Sequence, residues 1–481
     1  MEASMMRLFL LFFLAIAWMF KLESCDSRER DETLRPDRPR YLVYFPNYAL
    51  PVFLVFMALL IPFNSQRVGN MLLGACFSIS LHTSIYYIFL ALTMPLLRRK
   101  ISSRVCASLW LLPNYLYLLI NRAVTPTKPK WAIYVPEGTL KLLCLVWLVG
   151  FLAVMVWKIV GHFRFRRELL MVALPVEEAD VIALWNDELE LAGYADTEFP
   201  LFRSPAVQSP LTVGFFKSAV RVVLPERSYT PEELRLIFRH EIIHIGRDDA
   251  GSKFFLVFCT AMCWFNPLMW WAMRKSADDL ELSCDETVLL DSDDSQRRQY
   301  ADLLLRTAGD ERGFITCLSA SARAMQYRLR WVINPVKRFT GSFLAGCILF
   351  VLFLSAGHVT LAFEKTTGAE LIFGGQELSR FEVEDNELHR YDFGSHSWPE
   401  VKNADALKEY LAELKVYAVS DIYELSDSDR DLTVTFLDGE KAIWVGLGDH
   451  ALLVGGTERK ADHYFLPEET DWDYLDGLLR E

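Results

Sequence analysis

Two histidines separated by three residues could bind one metal ion. They are His240 and His244, in the stretch HEIIH. Side chains four residues apart share one face of a helix, so both imidazoles can point at the same ion. Glu241, the carboxylate beside His240, can take a proton from a water molecule at that ion. The pattern is typical of zinc hydrolases but also occurs in unrelated helices, so a specific assignment needs a third ligand.

The residues ahead of the histidines predict the start of the helix that carries them. Thr230 can act as the N-cap, and Pro231 suits the first helical position. Glu233 can complete a capping box with Thr230. We therefore expect one helix to run from Pro231 through both histidines.

Acidic residues on a second predicted helix offer the third ligand. This helix is predicted over 267–290, with Asn266 as its cap. Asp278, Glu281 and Asp285 follow one another on it at three- and four-residue spacing, which places them on one face. Two His and one Glu form a known catalytic zinc set, so Glu281 is the predicted third ligand, with Asp285 or Asp278 as its substitute. Asp285 is also placed to accept the outer N–H of a ligand histidine.

Three segments, in this order, resemble the membrane-bound zinc peptidases of the BlaR/MecR antirepressor type: HEIIHIGRDD, CWFNPLMWW and ELSCDETVLL. The resemblance covers roughly residues 71–363 and implies a gluzincin-like α+β peptidase domain. It implies that His240, His244 and Glu281 bind Zn²⁺ and that Glu241 is the catalytic base. Cys284 is expected to pack away from the ligands, because a fourth protein ligand would fill the position that substrate needs.

Long apolar runs predict that the chain crosses a membrane several times. The predicted organisation has an N-terminal hydrophobic extension, three transmembrane helices, a peptidase domain, a further transmembrane helix and a C-terminal domain, at residues 1–70, 71–161, 162–338, 339–363 and 364–481. The extension contains a marginal span at 47–63. It is either signal-like, an extra hairpin or an overlong reading frame.

Basic clusters predict the orientation of these segments. They lie at 98–104, 164–167 and 328–338, and the positive-inside rule places them in the cytoplasm. The peptidase domain is therefore predicted to be cytoplasmic and the C-terminal domain extracytoplasmic, in a multi-pass α-helical protein of the cell membrane. The apolar run 254–273 cannot be a full span, since it would put Glu281 across the membrane from His240. It is expected to be buried, re-entrant or at the membrane surface.

Strands are predicted both beside the zinc helix and in the C-terminal domain. Residues 219–224 could be an edge strand that holds an extended substrate peptide. The C-terminal domain reads as a small α+β fold, with a helix at 404–414 and strands at 432–436, 442–447 and 451–454. The chain has no SxxK, SDN or KTG motif, which argues against a penicillin-binding domain.

The charge of the chain bears on its partners. Its net charge is −12, and residues 364–481 contain 28 acidic and 11 basic residues, which argues against direct nucleic-acid binding. The expected partners are the lipid bilayer and a protein substrate, with a cytoplasmic transcriptional repressor as one candidate. The chain could also form a homodimer.

The function predicted from the sequence is a membrane-embedded zinc endopeptidase. It would transduce an extracytoplasmic signal by cleaving a repressor, or itself, on the cytoplasmic side. Two alternatives remain at this point. One is a receptor that signals by conformation alone and holds a structural zinc ion, and the other is a constitutive quality-control protease of the membrane.

Overall fold

The structure is a computed structural model that describes most of the chain. The described residues are 2–30, 66–119, 131–194, 198–214, 217–290, 292–306, 316–317, 322–334, 338–355, 359–390, 395–419, 428 and 430–480. The predicted marginal span at 47–63 lies outside them.

Long helices make up most of the described N-terminal third. In chain order these elements are α1 (Glu2–Arg30), α2 (Gln66–Leu97), α3 (Ser103–Leu109), a 3₁₀ helix (Leu112–Leu119), strand β1 (Trp131–Tyr134) and α4 (Glu137–Met171). Among the described residues, two helical segments are long and apolar enough to cross a membrane, Ile79–Leu97 and Leu145–Met171. They belong to α2 and α4.

The transmembrane helix predicted over 107–120 is not a single helix in the structure. The chain leaves the α-helical path after Leu109 and continues as the 3₁₀ helix Leu112–Leu119, in which Leu112, Pro113, Asn114 and Leu116 are buried. Pro113 cannot donate a backbone hydrogen bond, and the Asn114 side chain donates to the carbonyl of Leu111 at 3.4 Å. Both residues favour a break in the helix. The prediction of three regular spans between residues 71 and 161 is therefore wrong for the second one.

The middle of the chain combines helices with a small sheet. It contains β2 (Leu174–Pro175), α5 (Ala179–Leu191), β3 (Leu201–Ser204), β4 (Leu211–Val213), a 3₁₀ turn (Lys217–Ala219), β5 (Arg221–Pro225), α6 (Pro231–Arg247), α7 (Asp249–Met262), α8 (Pro267–Val288), α9 (Asp294–Arg306), β6 (Thr316–Cys317) and α10 (Ala322–Ile333). The strand order is β2-β3-β5-β4-β6.

The prediction that residues 219–224 form an edge strand is wrong. Within β5, Val222 pairs with Leu201 of β3 on one side and with Thr212 of β4 on the other. The strand is thus interior, and its backbone groups are already used by its neighbours. A substrate strand cannot add to it.

Helix α6 begins where the sequence predicts. The Glu233 amide donates to Thr230 Oγ1 at 3.3 Å, and the Thr230 amide donates to Glu233 Oε2 at 3.1 Å, so the capping box is complete. The helix ends at Asp248, whose left-handed backbone (φ 53°) turns the chain into α7.

The apolar run at 254–273 forms two helices instead of one span. Helix α7 ends at Met262, and α8 starts at Pro267 after a short break. The cap of α8 is the predicted one, since Asn266 Oδ1 accepts the Leu268 amide at 3.0 Å. Because α7 and α8 pack against each other, the chain returns to the histidines. The prediction that this run does not separate Glu281 from His240 is confirmed.

The apolar run predicted as a span at 339–363 is shared between a helix and a strand. Helix α11 is Ser342–Ser355, and strand β7 already begins at Val359. The 14 residues of α11 extend about 21 Å, which is shorter than a hydrocarbon core of about 30 Å. Helix α1 packs along α11, with Met19 against Gly346 and Ser342 Oγ donating to Glu23 Oε2 at 2.6 Å.

A nine-stranded sheet organises the C-terminal part. Its elements are β7 (Val359–Thr367), α12 (Gly368–Phe373), a 3₁₀ turn (Leu378–Arg380), β8 (Glu382–Arg390), β9 (Ser395–Ser397), β10 (Glu400–Val401), α13 (Ala404–Glu413), β11 (Lys415–Val419), β12 (Arg430–Asp438), β13 (Lys441–Leu447), β14 (Ala451–Gly456), β15 (Asp462–Phe465), α14 (Trp472–Leu478) and β16 (Leu479–Arg480). The sheet order is β1-β7-β11-β15-β14-β13-β12-β8-β9, and β10 pairs separately with β16. The predicted helix at 404–414 and the three predicted strands coincide with α13, β12, β13 and β14.

The first strand of this sheet comes from a distant part of the chain. Strand β1 pairs in parallel with β7, from Trp131 opposite Val359 to Tyr134 opposite Ala362. Helix α4 starts three residues after β1, and β2 of the small sheet follows its other end. At about 1.5 Å per residue, its 35 residues separate the two sheets by about 50 Å. The sheets therefore lie at opposite ends of α4.

Candidate metal centre

The two histidines of the motif meet inside the protein. His240 and His244 project from α6, and neither side chain is exposed to solvent. Their Nε2 atoms lie 3.0 Å apart. At this distance the two imidazoles share one proton or bind one cation between them.

Each histidine is oriented through its other nitrogen. His244 Nδ1 lies 2.5 Å from Asp249 Oδ2 and donates to it. His240 Nδ1 lies 2.9 Å from Tyr300 Oη, and that hydroxyl donates to Asp285 Oδ1 at 2.7 Å. Because the tyrosine proton goes to Asp285, the hydroxyl accepts from the imidazole. With Nδ1–H donated in this way, each neutral imidazole presents an Nε2 lone pair once the proton shared between the two Nε2 atoms has left.

Asp285 contacts His240 less directly than the sequence predicts. Its Oδ1 is 3.5 Å from His240 Nδ1, and Tyr300 forms the hydrogen bond between them. The carboxylate is fixed by Arg328, which donates from Nε to Oδ2 and from Nη2 to Oδ1, both at 2.6 Å. Asp285 was predicted to accept directly from a ligand histidine, but it is Asp249 that does so, from His244 Nδ1.

Glu281 completes a triangle with the histidines. Its Oε2 lies 3.8 Å from His240 Nε2 and 3.6 Å from His244 Nε2. Tetrahedral zinc with bonds of about 2.1 Å needs ligand atoms about 3.4 Å apart, so the three distances suit one ion. Oε2 is also buried and accepts no hydrogen bond from the described residues. Two imidazoles and a carboxylate are a donor set that zinc prefers, and the residues fit such an ion.

The substitutes for Glu281 are placed less favourably. Asp278 Oδ2 accepts from Lys275 at 2.7 Å and is partly exposed. Both oxygens of Asp285 are held by Arg328. Asp278 is therefore turned to a lysine of its own helix, and Asp285 is committed to a buried ion pair.

Cys284 lies closer to the histidines than the sequence predicts. Ligand atoms of His240, His244 and Cys284 all fall within 4.8 Å of one another, which makes a second possible metal group. The expectation that Cys284 packs away from them is therefore wrong. However, its Sγ contacts the Nδ1 edge of His240 and the His240 carbonyl oxygen, both at 3.5 Å. We favour Glu281, because its Oε2 faces the Nε2 atoms of both histidines.

The charges of the centre follow from its burial and its neighbours. Burial lowers the pKa of His240 well below its usual value, and the neighbouring His244 and Arg328 lower it further. Burial would also lower the pKa of His244, but Cys284, Glu281 and Asp249 outweigh it and raise that pKa well above its usual value. The shared proton thus belongs to His244. A metal ion must displace it, so binding weakens as the pH falls.

Glu241 is buried beside the small sheet. Its side chain is inaccessible to solvent, and Thr212 Oγ1 donates to its Oε2 at 2.6 Å. Thr212 belongs to β4, which therefore fixes the carboxylate next to the histidines. Thr212 and Glu241 are 29 residues apart, so the sequence alone does not indicate this contact.

Helix α8 is also held by a residue that follows one of the candidate spans. Arg98, just after α2, donates two hydrogen bonds to Asp279 at 3.0 and 2.7 Å, and Tyr327 of α10 donates a third at 2.9 Å. Asp279 precedes Glu281 by two residues. The end of a candidate span is therefore joined to the helix that carries the third candidate ligand.

The residues that sequence reasoning missed are Asp249, Tyr300, Arg328, Thr212 and Lys253. Asp249 could have been found from the sequence. An acidic residue five positions after a ligand histidine can reach the outer nitrogen of that histidine when the helix ends between them and the chain turns back. Tyr300 and Arg328 come from α9 and α10, whose packing the sequence does not reveal. Lys253 of α7 donates from Nζ to Glu281 Oε1 at 2.7 Å.

The residues of this centre lie within a stretch that is similar to known proteins. A model of the family described as BlaR1 peptidase M56 matches residues 97–330, a shorter stretch than the expected 71–363. This stretch, a little under half of the chain, is similar to the metallopeptidases of that family. Among relatives, the regulatory protein BlaR1 of Bacillus licheniformis is 27% identical over 161 residues, which are 32% of this chain and 27% of the relative. The resemblance to BlaR/MecR-type proteins is confirmed.

Proposed function

We propose that this chain is a zinc-dependent endopeptidase of the cell membrane. The observation that carries the proposal is the triangle formed by the Nε2 atoms of His240 and His244 and by Oε2 of Glu281. Glu241, the proposed base, directly follows His240 in the chain. The family match supports a metallopeptidase. We propose the substrate, the ion and the roles of the individual residues.

Each residue of the centre has a definite task in this mechanism. When bound, zinc would supply a Lewis acid that polarises a peptide carbonyl and makes water more acidic. Glu241 receives the proton of the attacking water and returns it to the leaving amine. Thr212 fixes the Glu241 carboxylate through Oε2. Asp249 and Tyr300 keep both imidazoles in the tautomer that binds a cation.

Removal of the metal tests this proposal. The full chain in detergent should contain about one zinc ion, and a chelator should abolish its cleavage of a protein substrate or of the chain itself. Restoring zinc should restore cleavage, since the donor set remains in place. A His240→Ala variant serves as the control that cannot be reloaded. Cleavage that persists without zinc would contradict the proposal, and bound zinc without any cleavage would favour a receptor with a structural metal site.

We further propose that the C-terminal domain senses a signal on the outer face of the membrane. The two sheets lie at opposite ends of α4, about 50 Å apart, which exceeds the hydrocarbon thickness of about 30 Å. The basic residues near the peptidase end favour a cytoplasmic peptidase. The relative is called a regulatory protein, which is consistent with cleavage in response to a signal. A repressor of transcription, or the chain itself, is the proposed substrate.

Deletion of residues 359–481 should separate sensing from metal binding. The deletion begins where β7 begins and removes every residue of the large sheet except β1. We expect the truncated chain to retain zinc and to lose its response to the inducing condition, because no metal-centre residue lies beyond Arg328. The measurement is zinc content together with the ratio of induced to uninduced cleavage. An unchanged ratio would show that the signal enters elsewhere.

A further inference from the structure

Lys253 lies outside the sequence motifs but directly beside the candidate third ligand. It comes from α7, nine residues after His244, and its side chain is only 15% exposed. Its Nζ lies 2.7 Å from Glu281 Oε1, within hydrogen-bond and ion-pair distance. The contact joins α7 to α8 at the metal centre.

The two carboxylate oxygens of Glu281 have different surroundings. Oε1 accepts from Lys253, whereas Oε2 faces the two Nε2 atoms at 3.6 and 3.8 Å. Arg328 Nη1 is 3.7 Å from Oε2, too far for a hydrogen bond, and Oε2 accepts no hydrogen bond within the part of the chain that the structure describes. A carboxylate can bind a metal ion through one oxygen or through both. At Glu281 one oxygen is already occupied by an ammonium group.

We propose that Lys253 is a positioning residue that reserves Oε1 of Glu281 and leaves Oε2 as its single metal-binding atom. This inference rests on the proposed metal site. Two imidazoles and one carboxylate oxygen leave a position at the ion for substrate. If both oxygens of Glu281 bound the ion, they would crowd that position. Lys253 therefore sets the coordination number of the centre without contacting the ion.

Cobalt spectroscopy can measure this coordination number without measuring activity. Four-coordinate Co²⁺ absorbs visible light several-fold more strongly than five-coordinate Co²⁺, and Co²⁺ replaces Zn²⁺ in sites of this kind. The full chain in detergent is loaded with Co²⁺, and absorption per bound ion is compared among variants. Lys253→Met removes the hydrogen bond and frees Oε1. Its bound cobalt should absorb several-fold less than in the unchanged chain.

Two further variants separate positioning from general structure. Lys253→Arg keeps a charged donor and should restore the strong absorption. Lys275→Met is the matched control, since Lys275 makes an equally short bond, 2.7 Å, to Asp278 on the same helix as Glu281. That variant should absorb like the unchanged chain. If Lys253→Met does not fold, as judged by circular dichroism, Lys253→Ala is measured with the same expectation.

The possible failures are distinguishable. Strong absorption in folded Lys253→Met or Lys253→Ala would overturn the role of Lys253 while leaving the metal site intact. Weak absorption in Lys275→Met as well would also overturn it, because the effect would then not be specific. If the unchanged chain binds no Co²⁺, the proposed function itself fails.

Discussion

Glu241→Gln should bind zinc like the unchanged chain and lose about 10²–10⁴-fold in peptide hydrolysis, the usual contribution of a general base. Glutamine has almost the same size as glutamate. Its amide oxygen can still accept the hydrogen bond that Thr212 Oγ1 donates to Glu241 Oε2 at 2.6 Å in the unchanged chain. It cannot take a proton from water. The two imidazoles of the candidate metal centre are unchanged, so zinc content should stay the same while hydrolysis falls in this variant.

The matched control is Glu232→Gln, in the first turn of the same helix. Glu232 is exposed and far from the histidines along α6. This variant should hydrolyse substrate at the unchanged rate. Zinc content by atomic absorption and initial cleavage rates measure both outcomes. Chelator-sensitive cleavage by Glu241→Gln at a nearly unchanged rate would refute the assignment of the base.

Glu281→Ala should weaken zinc binding more than 100-fold, whereas Asp278→Ala should leave it nearly unchanged. Loss of groups that only orient a ligand typically costs about 10–100-fold in metal affinity, and loss of a ligand itself should cost more. Oε2 of Glu281 faces both Nε2 atoms, but Asp278 is bonded to Lys275. Competition with a chelator of known affinity gives both dissociation constants.

Cys284→Ser completes this comparison, since the cysteine belongs to the alternative metal group with the two histidines. If Glu281 is the ligand, the serine variant should bind zinc about as tightly as the unchanged chain. A larger loss in Cys284→Ser than in Glu281→Ala would move the third ligand to the thiol. Equal losses in Glu281→Ala and Asp278→Ala would also contradict our assignment.

The sequence was sufficient to predict those features that depend only on residues close together in the chain. The capping box of Thr230 and Glu233 and the Asn266 cap are local, and both helices start where these residues indicate. The spacing of His240 and His244 determines their common face. For the same reason, three strands and one helix of the C-terminal part could be predicted from alternation and periodicity, namely β12, β13, β14 and α13.

Sequence reasoning failed where contacts join distant segments. Composition alone made 107–120 appear to be a span, but Pro113 and Asn114 favour a break inside it. Strand β5 was predicted at an edge because nothing in its own residues shows that β3 and β4 pair with both of its sides. Lys253 was missed because a single lysine on an apolar helix reveals no partner. Its contact with Glu281 depends on how α7 and α8 pack.

The parallel pairing of β1 with β7 limits how the large sheet can turn. A body joined at one point, through α11, could swivel about that joint in any direction. The four residue pairs from Trp131 to Tyr134 add a second point of attachment, at the beginning of α4. Two fixed points leave one axis of rotation. Because α4 is an unbroken helix from Glu137 to Met171, a tilt of its first turn would be passed along the helix toward β2 and, through the hydrogen bond from Trp147 to the Met262 carbonyl, to α7.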